Sequence, residues 1–272
     1  MKKAALLAIV VLVIGIVAAS CGGSGAGGGA VKITKDELIN GVTASTEQAS
    51  TYRFKMHIVL NEKGTSGGES GEVNLNYDST GAFDKVDQEM QMDMNMSGSF
   101  KGAGEPEQMT GRMRIYWLGD TFYVGTQEDG SPEVWVKSDD TETLRQSQDL
   151  MSQYVEIVRG ANVKILGTEE VEGVTCYVAE IYPDMGKLLD LLGSQLGSNM
   201  SLPLTEDSIG NFLCKGWYAQ DTFFPMKGYQ EYDLNLEEGS DKLTGDVTAS
   251  ILLYDYNKPV SINLPPEAKQ AK

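Results

Sequence analysis

Between Glu89 and Met96 the chain reads Glu-Met-Gln-Met-Asp-Met-Asn-Met, a methionine at every second position with a polar residue in each gap. Side chains of a strand alternate between faces. Period two therefore puts Met90, Met92, Met94 and Met96 on one face and Glu89, Gln91, Asp93 and Asn95 on the other. Wound into a helix, the same residues would scatter around the axis and bury nothing coherent. The stretch is a strand with a wet side and a soft, apolar side. That constrains the rest of the chain, because a strand needs partners and its thioether face needs a cover.

The partners are written in the same period. Tyr52, Phe54, Met56, Ile58 and Leu60 alternate with Arg53, Lys55, His57 and Val59, the pattern of a half-buried strand. Turn signals follow at Gly64 to Gly71, Ser79-Thr80-Gly81, Gly119-Asp120, Glu172-Gly173, Gln220-Asp221 and Glu237 to Ser240, with a polar loop from Gly98 to Gly111. Strands lie between these signals, the last a short one from Val260 to Leu264. The methionine strand is expected to start at Phe83. Three segments switch to helical spacing. Thr34-Lys35-Asp36-Glu37 has the form of a capping box and opens a helix to about Gln48. Leu144, Met151, Tyr154, Val155 and Val158 share a helical face that Gly160 ends. A shorter helix is expected from Met185 to Leu196. The fold class that results is α+β: one strongly curved antiparallel sheet of about ten to eleven strands, enclosing or covered by helices. A sheet that long, wet on one side, must curl to bury its inner face.

The N-terminus places this domain. Met1-Lys2-Lys3 is basic, Ala4 to Ala19 is apolar, and Ala18-Ala19-Ser20 precedes Cys21. These features describe a secretory leader over residues 1–20; the Cys directly after small residues resembles the bacterial lipobox, which implies Cys21 as the lipidated first residue of the mature chain. Residues 21–30 are Gly-rich, and a coil of eight such residues spans roughly 16 Å. Residues 31–272 form the domain. The expectation is an extracytoplasmic protein held to a membrane by its acylated Cys21. The formal charge is −17, which argues against nucleic-acid partners and against electrostatic docking on anionic lipid.

No catalytic centre is legible. The chain has one histidine, His57, on the wet side of its strand, so neither a Ser-His-Asp set nor a His-based zinc site is supported. No phosphate loop, dinucleotide fingerprint or Gly-x-Ser-x-Gly elbow appears after the leader. The acidic pairs Asp139-Asp140 and Glu169-Glu170 lack the spacing of a calcium loop. The expectation is no enzyme, no cofactor and no metal. One metal alternative follows from softness: Met90, Met92 and Met94 could hold Cu(I). The more economical reading is an apolar wall that repacks around a variable ligand, with Tyr52, Phe54, Met56, Ile58, Tyr116, Trp135 and Tyr177 joining the four methionines. A self-filled core in a cell-surface interaction or sensor module is the other reading. Cys176 and Cys214 either form a disulfide or are two buried thiols.

The chain resembles the LolA-like bacterial lipoproteins, in particular the LppX/LprG branch. The residues that carry the resemblance are Met90-Gln91-Met92-Asp93-Met94, the hairpin from Ile115 to Val124, Trp135-Val136-Lys137, Val171 to Val178, Trp217 to Lys227, and Tyr254 to Val260. The resemblance implies a half-open β-barrel with a hydrophobic cavity, a lipid or acylated ligand, and a role as carrier. It carries over no catalytic position.

Overall fold

Thr34 caps the first helix. Its side chain accepts a hydrogen bond from the Glu37 amide at 3.2 Å, and Glu37 Oε2 accepts from the Thr34 amide at 2.8 Å. This is the expected capping box, and it opens helix α1, Lys35–Gln48. The computed structural model describes residues 33–128, 130–138, 160–189 and 205–271. The leader, the Gly-rich stretch with Cys21, the helix expected across 139–159 and the end of the one expected from Met185 lie outside the described residues. Residues 185–189 of the latter are helical, with the Asp184 side chain accepting from the Lys187 amide.

Eleven strands follow: β1 (Thr51–Ser66), β2 (Glu69–Asp84), β3 (Glu89–Lys101), β4 (Glu107–Leu118), β5 (Thr121–Glu128), β6 (Val134–Ser138), β7 (Asn162–Val171), β8 (Val174–Tyr182), β9 (Ile209–Ala219), β10 (Pro225–Glu238) and β11 (Asp241–Tyr254). All pairs are antiparallel, in the order β6-β5-β4-β3-β2-β1-β11-β10-β9-β8-β7. Two meanders meet at a central seam, where β1 pairs with β11 from Arg53↔Tyr254 to Thr65↔Lys242. The edge strands β6 and β7 are not paired with each other.

The sheet curls around α1. Leu38, Ile39 and Val42 of α1 share one core cluster with Leu75 of β2, Ile58 of β1, Val247 of β11, Ile181 of β8 and Val163 of β7. Laid flat, β2 and β8 would stand about 24 Å apart at ~4.8 Å per strand. One helix about 10 Å across can join them only if the sheet bends over it. The result is a half-open barrel. Burying each of the three α1 side chains stabilises the fold by about 1.5–3 kcal/mol before entropy is counted. α1 is seated by Gly41, where a Cβ would lie 2.5 Å from Phe223 Cγ. Ser45 Oγ donates to the Phe223 carbonyl at 3.0 Å.

Several turns differ from expectation. Ser79-Thr80-Gly81 does not turn; it lies inside β2, paired with both β1 and β3. Gly81 is there because a Cβ would meet Phe54 Cζ at 2.3 Å and the Gln91 carbonyl at 2.5 Å. The reversal comes after Asp84, whose carboxylate accepts the amides of Val86 and Asp87 at 2.9 and 3.1 Å, and β3 begins at Glu89 instead of Phe83. The strands also run further into the expected loops: Gly67-Gly68 alone turns β1 into β2, and residues 102–106 turn β3 into β4. Val260 to Leu264 is not a strand. After β11, Asn257 and Lys258 are fastened to Ser50 and Thr51 by four hydrogen bonds. The chain then ends in a short 3-10 turn, Ala268–Gln270, beside β5 and β6.

Candidate functional site

The register assembles the methionine wall. Residues opposite each other on antiparallel strands share a face. Met90 opposes Phe83, which opposes Tyr52; Met92 opposes Gly81, then Phe54; Met94 opposes Ser79, then Met56; Met96 opposes Tyr77, then Ile58. On its other side β3 meets Trp117, Ile115, Met113 and Gly111 of β4. Eight of the eleven expected wall residues therefore line one continuous inner surface: Tyr52, Phe54, Met56, Ile58, Met90, Met92, Met94 and Met96. Phe54, Ile58 and Met94 are buried, and the rest are half-buried. The wall continues the core: Met92, Met94, Met96, Met109 and Met113 all pack on the cluster that holds α1. One end carries a row of rings, with Tyr52–Phe83 at 5.3 Å, Phe83–Trp117 at 6.2 Å and Tyr52–Tyr256 at 6.0 Å.

Tyr116 and Trp135 are not on this wall. Tyr116 opposes Gln91, on the wet face of β3, and Trp135 opposes Gly125, whose other partner is Arg114. They form an outer cluster with rings 6.1 Å apart and the Arg114 guanidinium 4.9 Å from the Trp135 ring. Trp135 Nε1 donates to Glu133 Oε2 at 3.0 Å, and Glu133 pairs with Arg114. Their strands are unbroken apolar runs, Ile115 to Leu118 and Val134 to Val136, in which period two marks no face. The wall uses Trp117, Ile115, Met113 and Met109 instead. Tyr177 faces inward but stands under α1, stacked on Phe223 at 6.1 Å, far along the sheet from the methionines.

The cysteines do not form a bridge. Cys176 opposes Ala219, and Cys214 lies five residues further along β9, about 17 Å at ~3.3 Å per residue. A disulfide needs Cα atoms within about 7 Å. They also point to opposite faces: Cys214 packs in the inner cluster, and Cys176 packs on the outside with Val178 and Trp217. Both are free and buried. Burial, with the Asp221 charge second, pushes the Cys176 thiol up to about 11, and burial alone pushes Cys214 higher.

Polar groups on the inner face are few. Glu62 is 7% exposed, and its Oε1 has no hydrogen-bond partner among the described residues; nor do Ser79 Oγ and Gln230 Nε2. Burial raises the Glu62 carboxyl to about 7. His57 lies on the outer face, its Nδ1 2.8 Å from Asp78 Oδ1. A cavity of about 340 Å³ opens away from the methionines, on the outer face at the β1–β2 turn, lined by Lys63, Lys101, Lys242, Glu72 and neighbouring small residues. Its lysines are already engaged in part: Lys63 pairs with Glu72 at 3.0 Å, and Lys242 pairs with Glu237. Among the described residues no three His, Cys, Asp or Glu side chains gather as a metal site.

No protein-family model matches the chain, and no curated protein matches it. Solved structures similar to it include the lipoprotein LppX of Mycobacterium tuberculosis, 13% identical, with 85% of this chain and 100% of that one covered and a TM-score of 0.40. LprF of Mycobacterium bovis is 14% identical over 85% and 96% of the two chains, at 0.41. A putative outer membrane lipoprotein-sorting protein domain of Vibrio parahaemolyticus is 9% identical over 84% and 95%, at 0.23. The architecture itself rests on the strand order and register above.

Proposed function

We propose that this chain is a membrane-tethered, extracytoplasmic lipoprotein that holds a lipid or acylated molecule against its methionine wall. The observation that supports this reading is the wall: an uncharged surface of Met90, Met92, Met96, Met109, Met113 and Ile115, half-exposed and continuous with the core. Methionine is unbranched and polarisable, and repacks around different shapes. The mechanism is burial. Each CH₂ taken from water contributes about 0.8 kcal/mol, and no bond is made or broken. Acylation of Cys21 supplies the tether, and a strongly acidic domain needs one to stay near anionic lipid. A carrier role follows if the ligand is released to a second membrane or protein.

A second reading has its own support. Phe54, Ile58 and Met94 are already buried by protein, as in an interaction module whose wall is closed by its own chain. Native mass spectrometry of the mature domain separates the two. Co-purifying lipid, released on unfolding, supports the carrier. A clean apo mass with no uptake of an added fluorescent lipid overturns it.

A further inference from the structure

Among the described residues, the inward positions of the five central strands carry one charged group. The inward positions are 52–64 of β1, 71–83 of β2, 90–100 of β3, 228–236 of β10 and 243–253 of β11. Read along these, the residues are apolar, aromatic or Gly, with Ser79, Gln230 and a single carboxyl, Glu62. That carboxyl is buried, and no protein donor among the described residues reaches its Oε1. A buried carboxyl with an empty lone pair costs free energy unless something else completes it.

Its surroundings show what would. Tyr77 and Tyr232 stand close enough that the Glu62 charge adds to the burial that raises both phenols. Both are nearly fully buried, and Phe212 stacks on Tyr232 at 6.2 Å. Around Glu62 the inward positions Gly64, Gly71 and Gly245 carry no side chain. A Cβ on Gly245 would crowd Glu62 Cγ at 3.0 Å and the Asn61 carbonyl at 2.3 Å. The carboxyl thus sits between Val73 and Gly245 on the inner face, among buried apolar side chains and glycines. A buried carboxylate with an unfilled acceptor site in apolar surroundings is completed best by a charged donor, and an ammonium group is one. The chain's charge of −17 draws cations toward it and repels anions.

We propose that Glu62 is the polar anchor of the inner face, and that the ligand presents a protonated amine to it while its hydrocarbon lies along the methionine wall. This rests on the lipid-binding reading above and names the class of ligand: a cationic amphiphile in preference to a fatty acid or a neutral alcohol. On binding, the ammonium N–H donates to Glu62 Oε1. A Glu62 that was protonated beforehand gives its proton to solvent.

The test uses three probes that share one chain: dodecylamine, 1-dodecanol and dodecanoate, each competing against Nile red bound to the mature protein. At about pH 8 the amine is expected to displace the dye at a concentration on the order of tenfold to a hundredfold lower than the alcohol, with dodecanoate the weakest. In Glu62→Gln the amine and the alcohol converge. In Glu231→Gln, which removes an outer-face carboxyl, the ranking persists. An amine no better than the alcohol in the native protein, or a ranking unchanged by Glu62→Gln, overturns the inference and leaves the lipid-binding reading standing. Failure of all three probes to displace or bind sinks that reading, and this one with it. If Glu62→Gln does not fold, calorimetry of the native protein in two buffers decides. At about pH 6, close to one proton is released per amine bound and none per alcohol; no release with the amine overturns the proposal.

Discussion

Replacing Glu62 by Gln tests the burial of this carboxyl independently of any ligand. Burial raises its pKa from 4.5 to about 7 in the folded chain. A carboxyl whose folded pKa is raised favours folding fully below its unfolded value. That contribution is lost as pH rises through the folded value. The window is therefore about pH 4.5 to 7, and above it the folded protein carries a desolvated charge. At 1.36 kcal/mol per unit the loss is about 3 kcal/mol, which partial hydration of the carboxyl trims to about 2 kcal/mol. Glu62→Gln has no such titration. Whatever constant offset the amide brings, its stability relative to the native protein should rise by about 2 kcal/mol between pH 4.5 and pH 8. That corresponds to roughly 4–8 °C in Tm for a chain of this size. Urea unfolding at several pH values measures it, and other carboxylates cancel in the difference. A gap between the two proteins that stays constant to within about 0.5 kcal/mol across the range would refute the burial argument.

Other perturbations reach other parts of the fold. Gly41→Ala, which at an ordinary helix site gains about 1 kcal/mol, should instead cost about 1–3 kcal/mol in denaturant unfolding, because the new methyl meets the Phe223 ring; a gain would deny the docking of α1. A thiol-reactive dye should modify neither Cys176 nor Cys214 in the native protein and both in unreduced denaturant, whereas silence in denaturant would mean a disulfide. Met94→Ala, at the buried centre of the wall, should cost about 2–5 kcal/mol. Met90→Ala, half-buried at its end, should cost under about 1.5 kcal/mol; equal costs would contradict the graded exposure of the wall.

What could be read from the sequence was whatever alternates. The methionine strand and β1 showed their faces because polar residues fill the gaps, every one in the first and all but Val59 from Arg53 to Val59 in the second, and the capping box at Thr34 fixed the start of α1. Where apolar residues run together, as at Tyr116 and Trp135, period two is silent and only the partner strand decides the side. Gly81 looked like a turn because glycine frees the backbone, yet its role is to make room for Phe54, a contact between residues 27 apart. Whether Cys176 and Cys214 are a disulfide or two buried thiols stayed open in the sequence for a related reason: pairing depends on a register and a parity that neither strand contains alone. Glu62 reads as one more surface carboxylate in an acidic chain. Its burial exists only once β2, β10 and β11 close around it.

The seam between β1 and β11 has a consequence for how the protein is made. Arg53 is paired with Tyr254, so the centre of the sheet joins the earliest strand to the latest. A chain delivered N-terminus first completes the β1–β6 meander long before its central neighbour arrives. Until then β1 is an open edge beside an uncovered thioether surface, and closure waits on contacts that span nearly the whole sequence, a topology that folds slowly. Every molecule thus passes through an interval in which its own last strand competes with other chains for that edge. Assembly, as well as the finished wall, therefore rewards dilution, escort or rapid delivery of the C-terminal strand.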